Sequence, residues 1–66
     1  MKRAPTDRQL EILQLLSIGM SNSEIAATLC CSTETVRSHR QSILLRMSAV
    51  DTPHAVAMAF RAGLIE

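Results

Sequence analysis

Ser21-Asn22-Ser23-Glu24-Ile25-Ala26-Ala27-Thr28-Leu29-Cys30-Cys31-Ser32-Thr33-Glu34-Thr35-Val36 holds two helix starts with almost no chain between them. Ser21 followed three residues later by Glu24 has the form of a capping box, in which each side chain satisfies a free backbone N–H of the first turn. Ile25, Ala26 and Leu29 then fall on one side of a helix of about two turns, which the spacing ends near Cys30. Ser32 caps a second helix at once. Two helices joined this tightly form a helix-turn-helix corner. Such a corner needs a small residue where the helices touch, and Ala26 supplies it. It needs apolar residues on the inner side of the turn, a role the pattern assigns to Ile25, Leu29 and Cys31. It also needs a β-branched anchor on the second helix, and Val36 stands in that place. Many such corners put glycine in the turn; Cys30 stands there instead, which predicts a turn of different geometry.

The pattern continues outward from the corner. From Thr33 to Met47 the apolar residues Val36, Ile43, Leu44 and Met47 recur at helical spacing. Upstream, Thr6-Asp7-Arg8-Gln9 is another capping box, followed by Leu10, Ile12, Leu13, Leu15, Leu16 and Ile18 and a stop at Gly19. Downstream, Asp51-Thr52-Pro53 opens a further helix, with Thr52 expected as the cap and Pro53 at the first helical position. Ala55, Val56, Ala59, Phe60 and Ala62 are expected to line it, and Gly63 to end it. The fold class predicted is all-α: a four-helix domain over residues 6–66 containing a helix-turn-helix, with a three-helix core plus a C-terminal helix. Residues 1–5 read as a basic N-terminal arm.

Bulk composition narrows the function classes. A length of 66 residues leaves room for one domain, and a core this small encloses little volume for an active site. Cys30 and Cys31 are adjacent, which is neither a zinc-ligand spacing nor a framework of separated cysteines. His39 and His54 lack ligand partners at helical spacing, and the serines lack a His–Asp pair for nucleophilic attack. The sequence therefore points away from an enzyme, a metal site or a cofactor. Its longest apolar runs are too short for a membrane span, and no signal-peptide pattern opens it, so a cytoplasmic protein is expected.

A formal net charge of +1 gives little guidance on partners, but the distribution of charge does. With Val36, Ile43 and Met47 turned to the core, the helix over 33–47 is expected to offer Arg37, Ser38, Arg40, Gln41 and Arg46 outward, with Ser42 beside them. Side chains of these types donate to phosphates and to guanine or adenine edges in the major groove of DNA. Glu34 is the one acid on this helix.

The run from Gly19 to Ala26, then Leu29, Ser32 to His39, Ile43-Leu44 and Arg46-Met47 resembles the LuxR-type helix-turn-helix domain. Thr6 to Gln9 before it, and Ala55 to Ala59 with Arg61 to Ile65 after it, match the same pattern from about Pro5 onward. The resemblance implies a four-helix unit that binds double-stranded DNA, commonly as a dimer, and regulates transcription, with the helix at about 33–47 as the recognition helix. It implies base contacts from Arg37, Ser38 and Gln41. It implies phosphate contacts from Thr33, Thr35 and Arg46, with Asn22 and Ser23 at a helix N-terminus that favours an anion; Arg40 joins this set from the basic face. Gln9 stands where the family usually has Glu, Ser42 where Asn is common, and Thr52 where Arg is common, and each is expected to weaken a contact. On the last helix, His54, Ala57, Met58 and Arg61 are expected to face outward and form a homodimer surface, with Met58 near the axis and without a core role. The rival reading is a protein-interaction module that docks on RNA polymerase through the side of Leu45.

Overall fold

The computed structural model describes residues 4–66. Four helices follow one another: α1 (Asp7–Ser17), α2 (Asn22–Leu29), α3 (Thr33–Met47) and α4 (Thr52–Arg61), and the described residues contain no strand. The expected all-α, four-helix arrangement is the one found. Of the basic arm, only Ala4 and Pro5 fall within the described residues; Lys2 and Arg3 lie outside them.

Each helix starts on a side-chain cap. Thr6 Oγ1 accepts from the Gln9 N–H at 3.2 Å, and Gln9 Oε1 accepts from the Thr6 N–H at 3.0 Å. Ser21 and Glu24 exchange the same pair at 3.2 and 2.8 Å. Ser32 Oγ accepts from the Thr35 N–H at 3.1 Å. At α4 the cap is Asp51, not Thr52. Asp51 is extended (φ −155°), and its carboxylate accepts from the His54 N–H at 2.9 Å. A carboxylate there also suits the positive end of the helix dipole, so Asp51 outcompetes the threonine beside it. Thr52 and Pro53 become the first two helical residues.

All four helices end alike, with one left-handed residue and two backbone bonds back to the last turn, the Schellman arrangement. Gly19 (φ 88°) and Gly63 (φ 72°) occupy the left-handed position after α1 and α4. After α2 the position belongs to Cys30 (φ 57°), and after α3 to Ser48 (φ 56°). Around Cys30 the bonds are Cys31 N–H to Ala26 C=O at 2.9 Å and Cys30 N–H to Ala27 C=O at 3.4 Å. The turn therefore has the glycine geometry with a cysteine in it, and the expected change of geometry does not occur. The backbone bonds hold Cys30 in a conformation its Cβ disfavours.

The core takes Ile12 and Leu13 from α1, Ile25 and Ala26 from α2, Val36, Ile43 and Met47 from α3, and Ala55 and Ala59 from α4. Ile65 closes it from the tail. Each fully buried branched residue contributes about 1.5–3 kcal/mol by leaving water, and α3 touches all three other helices. Gln14 clamps the tail: its Nε2 donates to the Glu66 C=O at 2.8 Å, and its Oε1 accepts from the Glu66 N–H at 3.1 Å.

Several expectations about the core are corrected. Ala62 is exposed because α4 stops at Arg61 and the chain turns at Gly63 to bring Ile65 in instead. Phe60 is 47% exposed, since it follows the buried Ala59 by one residue, about 100° around the helix. Cys31 is exposed, although Ile25 and Leu29 do turn inward. Met58 is half-buried and packs on the core, three residues after Ala55 on the flank of its stripe, so it does have a core role.

Candidate nucleic-acid interface

The face of α3 opposite Val36, Ile43 and Met47 is fixed by the burial of those three residues. Glu34, then Arg37 and Ser38, then Gln41 and then Leu45 recur about once per turn, so they form one stripe along the helix, and all five are exposed. Arg37, Ser38 and Gln41 thus stand together where the sequence placed them. Two members of the stripe were not assigned to the interface from the sequence. Glu34 pairs with Arg37 through Arg37 Nη1 at 2.5 Å, both side chains being largely solvent-exposed. Leu45, 82% exposed, continues the stripe one turn beyond Gln41. The spacing of Leu45 from Gln41 was the signal available for it.

The residues expected to grip phosphates divide into two groups. Asn22 and Ser23 are the first residues of α2, and Thr33 and Thr35 lie in the first turn of α3. Both turns present backbone N–H groups and hydroxyls, a chemistry that suits an anion. Thr35 Oγ1 lies 2.9 Å from Ser32 Oγ, and Ser23 Oγ lies 3.2 Å from Ser21 Oγ.

The two arginines of the set are placed differently. Arg46 is half-buried, with Nε and Nη2 donating to the Ala4 C=O at 3.3 and 3.1 Å, so it ties the start of the chain to α3. Arg40 is not on the outward stripe. It follows Val36 by four residues and precedes Ile43 by three, which puts it on the core side. Its Nη1 donates to Asn22 Oδ1 and its Nη2 donates to Thr52 Oγ1 at 2.8 Å. Ser42 is also turned inward: its Oγ accepts from Nε2 of the buried Gln9 at 3.2 Å.

Two departures from the family pattern, Gln9 and Ser42, are thus each other's partner, and the third, Thr52, is the partner of Arg40. Of the α4 residues expected at a dimer surface, His54, Ala57 and Arg61 are exposed and Met58 is half-buried. His54 Nδ1 accepts from the Val50 N–H at 3.0 Å.

Electrostatics around the interface are simple. Glu24, at the start of α2, has its carboxyl pKa lowered from the usual 4.5, because it accepts hydrogen bonds from the Ser21 backbone N–H and side chain. Among the described residues, no group of three or more His, Cys, Asp or Glu side chains could hold a metal ion, and no helix is long and apolar enough to cross a membrane.

Residues 6–59 match the family described as bacterial regulatory proteins, luxR family. The uncharacterized transcriptional regulatory protein YxjL of Bacillus subtilis (strain 168) is 39% identical over 61 residues, covering 92% of this chain and 28% of its own length. The response regulator protein VraR of Staphylococcus aureus (strain Mu3) is 39% identical over 61 residues, covering 92% of this chain and 29% of its own length. The chain therefore spans less than a third of these relatives.

Proposed function

The chain belongs to the luxR family of bacterial regulatory proteins, whose helix-turn-helix domain binds DNA and regulates transcription, and we propose that here the exposed stripe of α3 enters the major groove and reads base edges. The observation that carries this is the pairing of a buried face of α3 with an opposite face on which Arg37 and Ser38, and Gln41 one turn on, stand exposed. Arg37 suits guanine, and Gln41 suits adenine. Asn22, Ser23, Thr33 and Thr35 grip the flanking phosphates and set the register, which base contacts alone do not fix. The test is selection from randomised duplexes with Arg37→Ala and Gln41→Ala. Each is expected to lose about 1–3 kcal/mol and to blur preference at one position per half-site. Recovery of the wild-type preference from both variants refutes the assignment.

One recognition helix covers only a few base pairs, so selective binding calls for two copies on two half-sites. The proposed dimer surface is the exposed side of α4, His54, Ala57 and Arg61, with Met58 beneath them and contributing only its exposed part. Ala57→Glu is expected to weaken binding to a two-half-site duplex and to spare a single half-site; equal effects on both remove α4 from the surface. The regulator is proposed to act in the cytoplasm, where the DNA is. RNA polymerase is a further proposed partner, but Leu45 is a poor surface for it, because Leu45 shares the stripe that faces the groove.

A further inference from the structure

We propose that Arg40 is a positioning residue for DNA binding: it turns the amide of Asn22 so that its NH2 group faces the phosphate backbone, and it ties that amide to the start of α4. The inference rests on the reading of Asn22 as a phosphate contact. The guanidinium has only donors, so the Asn22 atom that faces it must be the carbonyl oxygen, and Arg40 Nη1 does donate to Asn22 Oδ1. The amide is planar, so with Oδ1 committed to Arg40 the Nδ2 group is directed away from it. A phosphate needs a donor, and a free asparagine could present either end. Arg40 removes the wrong one.

The second prong of the fork fixes the first. Arg40 Nη2 donates to Thr52 Oγ1 at 2.8 Å, at the first residue of α4. Arg40 lines a small hollow together with Leu13, Leu16, Ile43, Leu44, Thr52 and Ala55. A rigid planar fork can hold two oxygens at once at a fixed angle. A lysine ammonium in the same place is a point charge on a flexible stem and does not. Both acceptors are neutral, so the arginine keeps its full charge while its donors are occupied.

The experiment is a double-mutant cycle on the dimeric target duplex, with Asn22→Ala, Arg40→Lys and the double variant, at a temperature where circular dichroism finds all of them folded. Asn22→Ala is expected to lower affinity about ten- to a hundredfold for each half-site, the loss of one hydrogen bond to a charged acceptor in each copy. Arg40→Lys, which keeps the charge, is expected to lose a similar factor, and the double variant no more than either alone. The slope of log affinity against log salt should stay at its wild-type value in all three, since no charge is removed. Losses that multiply in the double variant overturn the positioning role while leaving Asn22 as a phosphate contact. Wild-type affinity in Arg40→Lys, with Arg40→Gln lowering the salt slope by about 1.8 (about 0.9 for each of the two copies), makes Arg40 a direct phosphate contact and overturns it as well. Lower melting temperature with unchanged affinity in Arg40→Lys reduces the fork to a purely structural tie. No effect of Asn22→Ala removes the phosphate reading on which the inference stands.

Discussion

Replacing Cys30 and Ser48 with glycine should stabilise the domain, and the size of the effect follows from the backbone. Both residues hold φ near +57° at the end of a helix, the position that glycine fills after α1 and α4. An L-residue in this region costs about 1–2 kcal/mol from the clash of Cβ with the neighbouring carbonyl. Glycine removes that cost but adds about 0.5–1 kcal/mol of backbone entropy to lose on folding. The net gain is about 0.5–1 kcal/mol per site. In a domain of this size that raises the melting temperature by about 2–8 °C. The two sites flank the 15-residue α3, so they lie roughly 22 Å apart along its axis and should add.

Thermal melts of Cys30→Gly, Ser48→Gly and the pair test this. Cys30→Ala is the control, because it discards the thiol and keeps Cβ; it should melt with the wild type. Gly19→Ala is the reverse experiment. A Cβ at Gly19 meets no atom within 4 Å, so any loss there reports the left-handed backbone alone, at about 1 kcal/mol. If Cys30→Gly melts no higher than Cys30→Ala, the strain assigned to the α2–α3 turn is absent.

Three other outcomes are expected. Glu34→Gln should raise DNA affinity several-fold at low salt, because it frees Arg37 from its partner and removes a negative charge from the reading stripe; an unchanged affinity across a salt series counts against the stripe as the DNA face. Gln9→Ala should cost about 1–3 kcal/mol in urea melts, through loss of the α1 capping bond and of the link to Ser42; a change under about 0.3 kcal/mol contradicts the role of this buried amide. The lowered pKa of Glu24 gives a contribution that is complete above 4.5 and lost as pH falls through the folded-state value, so the wild type should lose more stability than Glu24→Gln on acidification from about pH 5 to pH 3, and parallel curves refute it.

How much of this was legible in the sequence depends on whether the signal was local. The caps at Thr6, Ser21 and Ser32 act on residues three apart, and they made the starts of α1 to α3 legible, as Gly19 did the end of α1. The buried stripe of α3 was equally legible, and with it the exposure of Arg37, Ser38 and Gln41. Arg40 was misplaced because its chemistry was weighed above its spacing: four residues after Val36 and three before Ile43, it belongs to the inward side. Cys30 and Ser48 were illegible as left-handed residues, since nothing in their type announces that conformation. Their helices end there because Ala26 and Leu44 find partners in Cys31 and Ala49. The Gln9–Ser42 and Arg40–Thr52 bonds join different helices, so only the packed chain brings them together. Ala62 departed from expectation because the tail brings Ile65 into the core instead, and Met58 because it lies on the flank of the stripe of Ala55 and Ala59.

The apportioning of arginines explains how a chain of net charge +1 can present a basic face to DNA. Arg8 and Arg37 pair with Glu11 and Glu34 three residues away, and these exposed pairs largely cancel at a distance. Arg40 and Arg46 are held by neutral oxygens, those of Asn22, Thr52 and Ala4. A neutral acceptor orients a guanidinium and leaves its charge uncancelled. The two uncompensated charges therefore sit at fixed places on α3 even though neither lies on the reading stripe. A unit charge roughly 7 Å from a phosphate in water contributes about 0.6 kcal/mol of attraction before salt screening. That attraction is independent of sequence and acts before any base is read. Arg37 differs in kind, because its salt bridge to Glu34 must loosen as it reaches a base. Removing Glu34 should therefore change Arg37-dependent selectivity, whereas replacing Arg46 with Gln should weaken binding to all duplexes by one factor.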